Sequence, residues 1–167
     1  MISHRPLRAL TVVLAISGAA FAIAAPRASA LGPNCNYDGW SFNACLSLTG
    51  STSYFYWDAH VGIDVKLPEQ YGREVLACNA DFKASLWGDD GGSGDDFIRN
   101  LILSPGWPAA GPDGIGAEFT ARLIDSADLD EDDGDDEVYA RVSFRDCHTG
   151  FTRTFRTGAF THGDFRR

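Results

Sequence analysis

Basic charge is scarce in this sequence: Lys and Arg number 14 against 23 Asp and Glu, a net charge of −9 over 167 residues. That excess repels phosphate backbones and anionic lipid, which argues against nucleic acid and membrane surfaces as partners. Its plainest use is solubility. After residue 30 there is no apolar run approaching the ~20 residues needed to span a bilayer. No segment keeps apolar residues at three-four spacing over three turns, so a long helix is excluded. Gly-x-Ser-x-Gly is absent, and His60, His148 and His162 sit in separate segments without metal-ligand spacing. A nucleophile elbow and a zinc site are therefore not expected.

The first thirty residues differ from the rest. Arg5 and Arg8 precede an uncharged apolar run from Ala9 to Ala25, followed by Pro26, Arg27 and the small triplet Ala28-Ser29-Ala30. A basic start, an apolar middle and an A-x-A end predict a secretory signal peptide over 1–30, cleaved after Ala30. That leader holds three of the basic residues and no acidic one, so residues 31–167 carry 11 against 23, a net charge of −12. The expected product is one secreted, extracellular domain over 31–167, a size ordinary for a single domain.

All four cysteines, Cys35, Cys45, Cys78 and Cys147, lie in that domain, and an even count in an exported chain predicts two disulfides. Of the three pairings, Cys35 with Cys45 closes a short Asn/Gly-containing loop, and Cys78 with Cys147 joins two strand-like segments. This is the expected connectivity.

From Ala59 onward apolar residues recur at every second position, the period of a strand with one buried face. Val61, Ile63, Val65 and Leu67 form one such row, and Cys78, Ala80, Phe82, Ala84 and Leu86 a second. Ala117, Phe119, Ala121 and Leu123 form a third, and Val138, Ala140, Val142 and Phe144 a fourth. Weaker strands are expected at 46–48, 53–57, 97–103 and 151–157. Gly, Pro and Asp punctuate the segments at 68–72, 89–96 and 104–116, and His148-Thr149-Gly150 reads as a hairpin turn. The pattern predicts an all-β fold, an immunoglobulin-like sandwich of two antiparallel sheets, with a small closed β-barrel as the alternative. Cys147 has the outward parity of its strand, so a bond to inward Cys78 requires a bulge near Asp146 or a position past the strand end.

The stretch Leu76-Ala77-Cys78-Asn79-Ala80, followed by Asp81-Phe82, resembles part of the neocarzinostatin-type apoproteins, secreted acidic carriers of a reactive chromophore. The likeness spans seven residues, and the nearby second cysteine of those proteins is missing here. No ligand or role is carried over from it.

Candidate chemistry falls into three groups. The run from Asp128 to Glu137 offers hard oxygen ligands, and Asp128, Asp130, Asp132 and Asp136 are the expected set if the hairpin takes Ca²⁺. Gly134 is one place late for an EF-hand, and the opposing reading is a solvated acidic tip. Asp89, Asp90, Asp95 and Asp96 present the same choice. Binding residues are sought among the aromatics: Trp87 on the outward parity of its strand, and Trp107 between Gly106 and Pro108 in a proline-stiffened connector. A rigid, exposed indole offers a flat face to a sugar or an anchor to a protein. Trp40 and Trp57 are expected in the core. Catalysis would require folding to assemble His60 or His148 with a serine and an aspartate.

The leading expectation is a secreted, acidic recognition module for extracellular carbohydrate or a cell surface. The alternatives are a secreted inhibitor presenting the 104–116 loop to a protein and an uncharacterised secreted enzyme. Mass spectrometry of the exported protein should find a chain beginning at Leu31; a dominant species retaining Met1 would contradict the leader.

Overall fold

The computed structural model describes residues 30–38, 41–50, 55–89, 94–129 and 137–161. The leader up to residue 29, Trp40, His162 and the acidic run 130–136 lie outside the described residues. Among the described residues eleven strands and one α-helix follow in order: β1 Ala30–Tyr37, β2 Phe42–Gly50, β3 Tyr56–Val65, α1 Glu69–Ala77, β4 Asp81–Asp89, β5 Asp96–Asn100, β6 Ile102–Leu103, β7 Ala109–Gly111, β8 Gly114–Asp125, β9 Glu137–Arg145, β10 Thr152–Arg156 and β11 Phe160–Thr161. They make two antiparallel sheets packed as a sandwich, not a closed barrel. Sheet A runs β1-β2-β3-β8-β6 with β7 also on β8, and sheet B runs β10-β9-β4-β5 with β11 also on β9.

The two-residue alternation becomes the core directly. Val61, Ile63 and Val65 of β3 face inward beside Ile115, Ala117 and Phe119 of β8, all buried. Phe82, Ala84 and Leu86 of β4 do the same beside Val142, Ala140 and Phe144 of β9. Phe42, Leu46 and Leu48 extend the layer along β2, and Trp57 is buried as expected. Each of these larger side chains contributes on the order of 1.5–3 kcal/mol by leaving water.

Four local features depart from the sequence reading, each for a physical reason. Residues 69–77, whose beginning reads as a connector, form α1; the helix is short and buries only Gly72 and Val75, so it lacks a wide apolar stripe. Cys78 and Ala80 precede β4 instead of belonging to it. Leu123 is not inward: Arg122 and Leu123 bulge from β8 where β3 steps from Trp57 to Ala59, and Leu123 sits at φ +55 with its side chain 67% exposed. The bulge returns Ile124 to the core, and Asp58 Oδ1 accepts the Leu123 N–H at 3.0 Å. Residues 104–116 are not one free loop, since β7 folds back on β8 and packs beside α1.

Both expected disulfides are present. Cys35 and Cys45 are direct partners in the β1–β2 ladder, with Cα atoms 4.0 Å apart. The bond thus staples an edge strand that carries Gly32 and Pro33 and has little apolar pattern of its own. Cys147 lies two residues past the end of β9, which resolves the parity conflict, and meets Cys78 at the end of α1.

Beside this bond, Asp146 is nearly inaccessible, 5% exposed, and ties α1 to the β9–β10 turn. Its carboxylate accepts from Tyr71 Oη at 2.6 Å, Thr149 Oγ1 at 2.8 Å, and the backbone N–H groups of His148 at 2.8 Å and Thr149 at 3.3 Å. Burial pushes the Asp146 pKa up, but the hydrogen bonds from Tyr71, Thr149 and the two amides outweigh it and hold the value at about 2, below the usual 3.8. A depressed carboxyl stabilises the fold above its unfolded pKa, and that contribution is lost as pH falls from about 3.8 through about 2. Asp146→Asn should lower stability at neutral pH by about 2 kcal/mol, the scale of hydrogen bonds to a charged group. Melting curves taken across that acid window should fall more steeply for the natural chain than for Asp146→Asn.

Candidate functional site

The outer face of sheet A holds a two-part concavity. Three rows of side chains cross β2, β3 and β8 there: Asn43–Asp64–Gly116, Cys45–Gly62–Glu118 and Ser47–His60–Thr120. The parity that buries Val61 and Ile63 obliges His60, Gly62 and Asp64 to face outward. Two of the central positions are glycines, and the sheet surface is correspondingly low. A Cβ at Gly62 would come within 3.3 Å of the Glu118 carboxylate, and one at Gly116 within 2.8 Å of the Trp107 ring. Both are places where a neighbouring side chain lies across bare backbone.

The resulting groove has two sections that meet at Asp64. One, about 380 Å³, is bounded by Trp107, Asn43, Asp64, Lys66 and the β7–β8 hairpin. The other, about 250 Å³, is bounded by Pro33, Cys45, Ser47, His60, Gly62, Asp64 and Glu118. Trp107 follows β6 in a turn closed by its N–H on Ser104 O at 3.2 Å, and a cis peptide links it to Pro108. Its indole is 38% exposed: it rests over Gly116 and also reaches solvent.

At the other end, His60 Nε2 lies 2.6 Å from Glu118 Oε2. Burial raises the Glu118 pKa; His60 draws it down and Asp64 pushes it up, and the net shift is upward. Asp64 itself makes no ion pair or side-chain hydrogen bond among the described residues. Ser47 stands opposite His60 in the ladder, so Ser47, His60 and Glu118 share one section of the groove. No hydrogen bond joins Ser47 to His60 among the described residues, and the interior strands β2, β3 and β8 commit their amides to neighbours on both sides.

The other sequence-derived candidates are placed elsewhere. Trp87 does stand on the outer face of sheet B, but its ring is already occupied. The Arg141 guanidinium lies 4.0 Å from the ring centroid, Phe97 packs edge-on at 5.4 Å, and Nε1 donates to Ser85 Oγ at 2.7 Å. The neighbouring Tyr139 lies beneath Arg156 at 4.0 Å. Asp95 and Asp89 are taken by Arg141 and Arg156, at 2.6 Å and 2.7 Å, so this pair serves a side-chain lattice. Trp87 and Trp107 thus lie on opposite sheets and form no common platform. His148 sits beside Tyr71 at the far end of α1, with Nε2 3.2 Å from Glu74 O, apart from His60.

Asp128 is an exposed residue of a 3-10 turn after β8, while Asp130, Asp132 and Asp136 lie outside the described residues. Among the described residues no group of three or more His, Cys, Asp and Glu is placed to hold one metal ion.

Asp64 and Glu118 were not singled out by the sequence reading. The available signal was a glycine at the outward position of an otherwise alternating strand, at Gly62 and again at Gly116. The two tryptophans should respond differently to truncation. Trp87→Ala removes a stacked cation, an aromatic edge and a hydrogen bond, and should lower unfolding free energy by about 2–3 kcal/mol. Trp107→Ala should cost about 1 kcal/mol or less, and denaturant melts of the two variants check the order. Compared with protein-family models, curated proteins and solved structures, the chain matches none.

Proposed function

We propose that the chain is an exported recognition module that binds carbohydrate in the groove across sheet A. The reading rests chiefly on one observation, the partly exposed Trp107 indole laid over Gly116 at one end of a groove that also holds Asp64, His60 and Glu118. A flat aromatic face stacks on the apolar side of a sugar ring, while carboxylates and amides along the trough accept and donate to its hydroxyls. Asn43, Asp64, His60 and Glu118 supply those polar groups in register along adjacent strands. Because they stand on paired strands, little ordering entropy is lost on binding. The backing of 109–116 by β8 and α1 favours a concave site over a projecting inhibitory loop. Two disulfides, and the absence of any helix long and apolar enough to cross a membrane among the described residues, are compatible with export.

The test is retention of the mature protein on a panel of soluble and insoluble polysaccharides. Trp107→Ala should weaken binding by about thirtyfold, the effect of removing a ~2 kcal/mol hot spot, without a matching loss of stability. Gly116→Ala, whose Cβ would meet the ring at 2.8 Å, should displace the indole and weaken binding in the same assay. A large loss of stability in Trp107→Ala, on the order of 3 kcal/mol or more, would mark the ring as core and remove this reading.

A further inference from the structure

The charges lining the groove are unbalanced, and the imbalance specifies a ligand. Asp64 lies where the two sections meet and has no ion-pair partner among the described residues. Glu118 stands one row along, over Gly62, and shares its charge with His60. Asp113 adds a third carboxylate at the hairpin turn, and among the described residues Lys66 is the one ammonium in the lining. Around the groove the chain as a whole carries −9. A neutral sugar seated here would offer Asp64 hydroxyl donors in place of water but no opposite charge. An anionic sugar would be repelled. A ring bearing a protonated amine would pair with Asp64 or Glu118, and its neighbour in the chain could lie on the Trp107 face, which itself attracts cations.

We propose that the groove selects polysaccharides of amino sugars with free, protonated amines over their N-acetylated or neutral counterparts, a specificity that rests on the carbohydrate reading above. Asp64 provides the pairing charge, Trp107 the stacking face, and Glu118, held over Gly62, a second anionic position along the strand direction. Residues Asp64 and Gly62 are two apart on β3, about 7 Å at the strand rise. That spacing is comparable to one sugar ring, so successive rings of a linear oligomer meet successive groups of the trough.

The experiment is calorimetric titration of the mature protein with short β-1,4-linked glucosamine oligomers and with their fully N-acetylated equivalents, at low and high salt and slightly acidic pH. The free-amine oligomer should bind at least about fivefold more tightly at low salt, and the preference should shrink at high salt. Asp64→Asn should reduce the preference to near unity, and Glu118→Gln should lower it; both positions are outside the core, and unchanged melting temperatures verify folding. Asp81→Asn makes the same charge change on sheet B, where Asp81 pairs with Lys83 at 2.6 Å, and should leave the preference intact. Equal weakening by Asp81→Asn would mean general attraction of a polycation to an acidic protein, and would overturn the proposal. Equal or tighter binding of the N-acetylated oligomer would overturn the amine specificity while leaving the carbohydrate groove standing. Failure of either oligomer and of every neutral polysaccharide to bind would remove both.

Discussion

The register of β3 on β8 is the constraint on which the rest of the molecule depends. From His60 to Val65 the two strands pair without interruption, and the one alignment serves both faces. Inward it stacks Val61, Ile63 and Val65 beside Phe119, Ala117 and Ile115, the middle of the core. Outward it sets Gly62 opposite Glu118 and Asp64 opposite Gly116, which opens the trough. A slip of one residue would turn every apolar group to solvent, so burial fixes the register and the register fixes the groove. The polar face needs no separate ordering device, because the hydrophobic effect positions it from behind.

The two outer faces of the sandwich solve the same problem differently. Sheet B covers its outward aromatics with its own arginines, Arg141 over Trp87 and Arg156 over Tyr139, and ties those arginines down with Asp95 and Asp89. Tyr139 is almost inaccessible there although it points away from the core. Sheet A has bare backbone at Gly62 and Gly116, with only the Glu118 carboxylate and the Trp107 ring lying across it. One face is finished by internal pairing, and the other keeps groups whose pairing is incomplete. This asymmetry leaves the open polar groups of the sandwich on sheet A.

What could be read from the sequence divides along the range of the interaction involved. Alternation is set by near neighbours, so the cores of β3, β4, β8 and β9 and the two-sheet architecture were legible in it. Disulfide connectivity was also legible, because Cys35 and Cys45 close a short Asn/Gly-containing loop while Cys78 and Cys147 join two strand-like segments. β1 was missed because an edge strand containing Gly32 and Pro33 has almost no apolar period and is held by Cys35–Cys45. α1 was missed because Gly72 and Val75 alone do not make a helical stripe. Leu123 was read as inward because parity counting cannot anticipate a bulge whose amide is taken by Asp58, 65 residues earlier in the chain. Trp107 stood out in the sequence by its prolines and Trp87 by its outward parity, but Asp64 and Glu118 gain meaning only from what lies across the ladder, and the cation over Trp87 comes from β9, 54 residues away.

The Cys35–Cys45 bond has a consequence beyond holding an edge. Cys45 and Pro33 both border the His60 end of the trough, so the covalent link forms part of the rim where ligand would enter. In a reducing compartment β1 would lose its staple, and with it that border and the cover on the free edge of β2. The edge of β2 would then offer unsatisfied backbone to any other strand. The same covalent bond therefore borders the groove and covers the edge of β2.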